Sequence, residues 1–241
     1  MTRIAPLALA VALLFGACGA TGGARTYSGT YLSLGDSIAA GNGASDPATT
    51  SFAALLAHDE GALPLQNLAV AGATTRDVIE KQLPAALAAK RPLAFVTISV
   101  GGNDLAALIP NAACTLDPLP PACPLDAALA QVGRNLDQIM KTLRGAFPTT
   151  PIVVLLYPNF FSGTGVPFEA PAQRVLPRLD DVLARTAARY QHTGAALTAA
   201  AFEGRGATLT HVLDPHSDPH PNDAGHRLIA DAFIAALKRV R

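Results

Sequence analysis

The chain has 241 residues, its 18 Lys+Arg balance 18 Asp+Glu, and half of it is hydrophobic. That content excludes wholesale disorder and suits one domain with a sizeable core. Balanced charge, no Lys/Arg cluster and no Trp leave no footing for nucleic acid, an anionic membrane surface or an indole stacking platform.

The first elements in chain order are targeting signals. Arg3 gives a positive start, Ile4 to Phe15 is apolar but too short to span a bilayer, and small residues follow at Gly16-Ala17-Cys18-Gly19-Ala20. Residues 1–17 therefore read as a secretory signal peptide. Leu14-Phe15-Gly16-Ala17-Cys18 resembles a bacterial lipoprotein cleavage box, with Phe15 where Leu is usual, so Cys18 is the expected lipidation site. Ordinary secretion, with Cys18 discarded or unmodified, is the alternative. Residues 18–29 then form a small, polar, flexible tether, and 30–241 form the domain.

Apolar runs with strand character alternate with helical patterns from there on. Strands are expected at Tyr31–Leu34, Leu65–Val70, Phe95–Val100 and Ile152–Tyr157, each bounded by Gly, Pro or Asn, with a weaker fifth within Ala195–Phe202. Helices are expected at Phe52–His58, Thr75–Lys90 with a break at Pro84, Asp126–Phe147, Pro171–His192 and about Asp223–Val240. In Asp126–Phe147 the residues Leu129, Val132, Leu136, Ile139 and Leu143 make one apolar stripe. Strand-helix alternation with near-continuous apolar strands predicts a single α/β domain, a doubly wound parallel sheet of flavodoxin type covered on both faces.

Cys114 and Cys123 stand in the Pro-rich stretch Pro110–Pro124. In an oxidising compartment they are expected to pair, a staple contributing roughly 2–3 kcal/mol in the chain-entropy model. Two buried thiols are the alternative; two Cys with no His nearby do not make a metal site.

Ligands bind beyond the carboxyl ends of parallel strands, so the residues after each strand carry the chemistry. These are Gly35-Asp36-Ser37-Ile38-Ala39-Ala40-Gly41, Ala71-Gly72-Ala73-Thr74-Thr75, Gly101-Gly102-Asn103-Asp104 and, before the last helix, Asp214 to Asp223. A hydroxyl, glycine amides, a carboxamide and an imidazole form the inventory for acyl transfer. The four blocks, in this order from Tyr31 to the last helix, resemble the SGNH (GDSL) hydrolase family. The lipase elbow Gly-x-Ser-x-Gly is absent, since Ala39 stands where its second Gly belongs, which argues against the ordinary α/β-hydrolase fold.

The resemblance implies hydrolysis of carboxylic esters with Ser37 as nucleophile, at a strand-to-helix turn whose helix N-terminus favours developing negative charge. It implies an oxyanion hole from the Ser37 backbone N–H, Gly72 and Asn103, and a turn-orienting, noncatalytic Asp36. His220, in His220-Pro221-Asn222, is the expected general base. The family's acid usually stands three residues before this His, where the chain has Ser217; Asp218 lies two before and Asp214 six before. Asp218, pushed to an extended backbone by Pro219, is the favoured acid; Asp214, or a dyad oriented by Ser217 or a carbonyl, remains open.

Two rival readings stand beside this one. His211, Asp214, His216, Asp218, His220, Asp223 and His226 crowd together as candidate metal ligands of an exported metal-binding lipoprotein. The other rival is a catalytically silent module that binds glycans or a protein partner. His58 and His192 read as helix-end residues and His226 as structural. The expected protein is a monomeric serine esterase of small-molecule, lipid or glycan esters, needing no cofactor or metal and touching the membrane only through the N-terminal lipid. Ala39, Ala40, Ala71 and Ala73 point to a modest rather than deep acyl pocket, with the Cys114–Cys123 insertion and Asn159–Phe168 as its rim.

Overall fold

The computed structural model describes residues 27–240 except 107, 109–113 and 115–119. The signal segment, Cys18 and the tether up to residue 26 lie outside the described residues.

Five parallel strands form the central sheet: β1 (Thr30–Gly35), β2 (Leu65–Asn67), β3 (Leu93–Ser99), β4 (Ile152–Leu155) and β5 (Thr193–Ala196). Their order is β2-β1-β3-β4-β5, the doubly wound flavodoxin-like order. Because the chain steps from β1 to β2 on one side and returns to β3 on the other, the topological switch point lies between β1 and β3. A crevice opens there at the carboxyl ends of the strands.

Short helix α1 (Ser37–Ala40) leaves β1 directly, and α2 (Phe52–Asp59) follows it. A composite helix comes after β2: α3 (Thr75–Asp77), a π-helical turn (Val78–Gln82) and α4 (Leu83–Ala88). Then come α5 (Gly102–Ala106), α6 (Leu125–Ala146), α7 (Glu169–Ala187), α8 (Ala199–Phe202) and α9 (Gly206–Leu209). A two-stranded antiparallel hairpin, β6 (Thr210–His211) and β7 (Asp218–Pro221), leads into α10 (Asp223–Arg239). Helices α2 and α10 pack together, while α6 packs against α3, α4 and α7, and the sheet lies between these two groups. The stripe Leu129, Val132, Leu136, Ile139 and Leu143 is buried as its spacing predicts. On the opposite face of the sheet from α6, Phe52 of α2 stacks on Phe233 of α10 with ring centroids 5.0 Å apart.

The departures from the sequence reading have local causes. Strand β2 stops at Asn67 instead of Val70 because the Asn67 carboxamide oxygen accepts from the Ala69 N–H and its Nδ2 donates to Ala39 O, turning the edge strand toward α1. The Leu68 and Val70 N–H groups still reach Ser33 O and Gly35 O. Pro84 does not break its helix; a π turn just before it takes up the register lost with the missing N–H. The fifth strand lies earlier, at Thr193–Ala196, and Ala199–Phe202 is helical. Its Gly and Ala residues let α10 close in, since a Cβ on Gly194 would sit 2.8 Å from Val240 Cγ2. Helix α7 ends at Ala187, so His192 lies in a turn at φ 55° rather than at a helix end. His58 does occupy the last turn of α2.

Leu136 is fully buried in the stripe that α6 presents to the sheet. Leu136→Ala is expected to destabilise the fold by about 2–5 kcal/mol, read as a lower urea midpoint with an unchanged slope.

Candidate active site

The turn after β1 is built by close approach. Gly35 pairs in register with Ser99 of β3, at φ +132°, and a Cβ there would stand 1.9 Å from Ser99 O. Only glycine fits. The Gln82 side chain, buried in the π turn, clasps the same residue from both sides: its Oε1 accepts from Gly35 N–H and its Nε2 donates to Gly35 O, each at 2.8 Å. The next residue, Asp36, caps α1 by accepting from Ile38 N–H at 3.1 Å, and its carboxylate also receives Ser99 Oγ at 3.0 Å and the Tyr157 hydroxyl. Burial pushes this carboxyl up to about 6, although the bonds from Tyr157, Ser99 and Ile38 pull it down. Asp36 is thus enclosed beneath the turn. Ser37 follows as the first residue of α1, half-buried at the crevice. With one turn of helix, the macrodipole expected at Ser37 is small, and any charge stabilisation falls to individual N–H groups.

The second and third blocks are stitched together. Asn103 donates an Nδ2–H to Ala73 O at 3.0 Å, which orients the carboxamide and leaves a second Nδ2–H. Its neighbour Asp104 accepts from Thr75 N–H at 2.9 Å and Thr75 Oγ1 at 2.5 Å, while Asn135 of α6 donates to that hydroxyl. Gly72 sits at φ +80°, a left-handed turn position with open space where a Cβ would be.

In the hairpin, Asp218 Oδ1 accepts from the His220 backbone N–H at 3.0 Å and also bonds to the ring Nδ1. Desolvation of Asp218 opposes ionisation, but these His220 bonds prevail and hold its carboxyl below the usual range. A proton on Nδ1 leaves Nε2 as the free acceptor. Residue Ser217, where the family's acid usually stands, takes a left-handed backbone at φ 48° and turns the chain into the extended Asp218-Pro219 segment. Asp214 pairs instead with His211 Nδ1 at 2.7 Å. The other members of the His/Asp-rich segment disperse: Asp223 binds Ser45 and Thr50, and His226 lies between Phe52 N–H and Asn42 O. Among the described residues no group of three or more His, Cys, Asp or Glu side chains converges as a metal site would require.

Ser37, Asn103 and His220 line one cavity of about 400 Å³. Gly72, exposed in its turn, does not line it. The cavity wall is mostly apolar, with Ile38, Leu105, Leu125, Phe160 and Val175 among its residues, and Cys114, Cys123, Phe161 and Phe168 also line it. Cys114 and Cys123 are joined in a disulfide. Residues of the rim expected from the sequence therefore line the cavity, but the alanines expected to shape it do not. Ala39, Ala40, Ala71 and Ala73 lie away from this wall, which leucines and phenylalanines from α5, α6 and the segment before α7 build instead.

The profile of the GDSL-like lipase/acylhydrolase family matches residues 33–228, most of the chain. The chain belongs to this family. A lipase from Streptomyces rimosus is 31% identical over 163 residues, covering 61% of this chain and 59% of that lipase, so the match spans less than two thirds of that relative. Among solved structures, the chain resembles phospholipase A1 from Streptomyces albidoflavus NA297, with a TM-score of 0.68, 24% identity and coverage of 86% and 99% of the two chains. It also resembles Axe2, an acetylxylan esterase from Geobacillus stearothermophilus, with a TM-score of 0.64, 20% identity and coverage of 89% and 97%. At these identities the two structures bear on the fold, a central parallel sheet with flanking helices.

Several residues that support the site carried no clear sequence signal. Tyr157 stood in the fourth strand run without a motif, and Gln82 lay in an ordinary helical pattern. Asp104 was visible in Gly-Gly-Asn-Asp, yet its link to Thr75 needed the fold. A second, smaller cavity of about 220 Å³ adjoins the first along α7, and Asp180 lines it with Oδ1 accepting from Tyr157 N–H at 2.7 Å. Burial raises the Asp180 carboxyl to about 7, the Tyr157 N–H pulling the other way. The folded state therefore keeps a proton that the unfolded chain releases near pH 4. Stability from this group is full below about 4 and is lost as pH rises to about 7. Asp180→Asn keeps the acceptor without the charge, so above pH 7 its urea midpoint should exceed wild type, with the advantage gone at pH 4.

Proposed function

We propose that the protein is an exported serine ester hydrolase that works through an acyl-enzyme on Ser37. The observation that carries this reading is the meeting of Ser37, Asn103 and His220, the last bonded to Asp218, on one apolar cavity. His220 Nε2 takes the Ser37 proton as the hydroxyl attacks the ester carbonyl, then returns it to the leaving alkoxide. Asp218 fixes the tautomer and stabilises the imidazolium. The oxyanion of the tetrahedral intermediate is held by the free Nδ2–H of Asn103 and the backbone N–H of Ser37, with the N–H of Gly72, on the turn outside the cavity wall, as the third donor that the family resemblance implies. Water activated by His220 then hydrolyses the acyl-enzyme. Asp36 has no part in proton transfer; it is enclosed and holds the turn.

The acyl half of the substrate occupies the apolar cavity. At ~30 Å³ for a water-sized group, its 400 Å³ accommodates about a dozen methylene-sized groups, which points to medium-chain acyl esters. Family membership and the lipases and esterases among the relatives support ester hydrolysis. The lipase of Streptomyces rimosus is extracellular, which supports export, and no helix among the described residues is long and apolar enough to cross a membrane. Cys18 is the residue we assign to lipidation.

Assays of the mature domain on p-nitrophenyl esters test this reading. Ser37→Ala and His220→Ala should each lower kcat/KM by several orders of magnitude, and Asp218→Asn by up to about 10⁴. From acetate toward octanoate kcat/KM should rise by up to about fourfold per methylene, from ~0.8 kcal/mol for each one buried. Wild-type turnover no better than Ser37→Ala contradicts the reading; full activity in Asp218→Asn contradicts the assignment of the acid.

A further inference from the structure

The segment that follows the nucleophile helix is sewn to the hairpin and last helix by side chains of the His/Asp-rich block. Asn42 N–H returns to Ser37 O at 2.9 Å, so this segment is continuous with the nucleophile turn. Gly43, at φ +85°, lies directly against the catalytic hairpin, where a Cβ would stand 2.3 Å from Pro221 O and 2.9 Å from His220 Cβ. Asp223 holds Ser45 and Thr50, and two histidines hold the carbonyls of Asn42 and Gly43.

The two histidines face different partners. His226 Nδ1 accepts from Phe52 N–H at 3.2 Å, and its Nε2 donates to Asn42 O at 2.9 Å, a pattern that one ring proton satisfies. His211 has Asp214 Oδ2 at 2.7 Å from Nδ1 and Gly43 O at 2.9 Å from Nε2. A carboxylate and a carbonyl are both acceptors, so both bonds form only when both ring nitrogens carry protons.

We propose that His211, as an imidazolium, is a positioning residue that clamps the segment after the nucleophile onto the hairpin bearing His220. The inference rests on the esterase reading above and adds a regulator to the same site. Loss of either ring proton sacrifices the Asp214 bond or the Gly43 bond. In the second case the Gly43 backbone is released beside His220, and the Ser37–His220 geometry loosens. The surroundings favour the charged ring: the Gly43 carbonyl and the Asp214 carboxylate raise its pKa above the ordinary histidine value, Asp218 adds attraction, and desolvation opposes them. Of the other titratable groups on the hairpin and α10, His226 interacts with it, and burial lowers the His226 pKa below the ordinary histidine value.

The test is the pH profile of kcat/KM on a p-nitrophenyl ester, together with the rate of Ser37 labelling by a fluorophosphonate. In wild type kcat/KM should fall at high pH as His211 loses its proton. His211→Gln, which can still donate to Gly43 O without titrating, should keep its plateau within about tenfold of wild type and lose the falling limb. Asp214→Asn, which removes the charge but keeps an acceptor, should move that limb down by about one pH unit. A falling limb unchanged in both variants, or absent from an active wild type, overturns the clamp. An inactive wild type overturns the esterase reading instead.

Discussion

The carboxyl ends of β1 and β3 come together so tightly that no side chain fits at Gly35, and the residue after it buries a carboxylate. The approach of Gly35 to Ser99 leaves Asp36 pointing inward, where Ser99, Tyr157 and the Ile38 N–H share its two oxygens. A buried carboxylate without those partners would cost several kcal/mol, so the network and the turn stand or fall together. The turn in turn directs Ser37 outward at the switch point, where the parallel sheet places its crevice. Gln82 and Tyr157, neither of them facing the reacting atoms through a polar motif, hold the backbone that does.

The remaining parts arrive from distant stretches of chain, each tied to its neighbour by a side chain outside the reaction. Asn103 is oriented by Ala73 O, and Asp104 locks onto Thr75, so the second and third blocks behave as one unit. The hairpin carries Asp218 and His220 and meets the segment after Ser37 through His211, and α10 meets the same segment through Asp223 and His226. Such ties matter because acyl transfer loses about 10²-fold in rate for an ångström of misplacement. The disulfide and the Phe-rich segment before α7 shape the apolar wall and leave the polar geometry to the strands.

The fold was legible because parallel strands buried on both faces read as unbroken apolar runs, and the helices of the long stripes keep a 3.6 period. Tyr31–Leu34 and Leu129–Leu143 are plain examples. Strand ends were less legible: Asn67 stops β2 through its own side chain, and residues 194–196 lack β-branched bulk because the end of α10 needs the space. Ser37 and Asn103 were visible in blocks after strands and His220 in the block before the last helix, since chemistry there depends on residue type at a fixed place in the fold. The acid was ambiguous among Asp214, Ser217 and Asp218, because its reach depends on the left-handed Ser217 and the extended Asp218-Pro219 backbone, which spacing does not convey. Tyr157, Gln82 and His211 act through contacts across 47 to 168 residues of chain, and no local pattern announces them.

The central claim is that one hydroxyl, one imidazole and a set of N–H donors share a single tetrahedral centre. The most direct measurement is a crystal structure of the protein after reaction with a medium-chain alkyl phosphonate. The account predicts phosphorus on Ser37 Oγ, its charged oxygen within hydrogen-bond distance of Asn103 Nδ2 and the Ser37 and Gly72 N–H groups, and the alkyl chain between Phe160 and Val175. A phosphonate bound elsewhere, or on Ser37 with its oxygen turned away from Asn103, contradicts it.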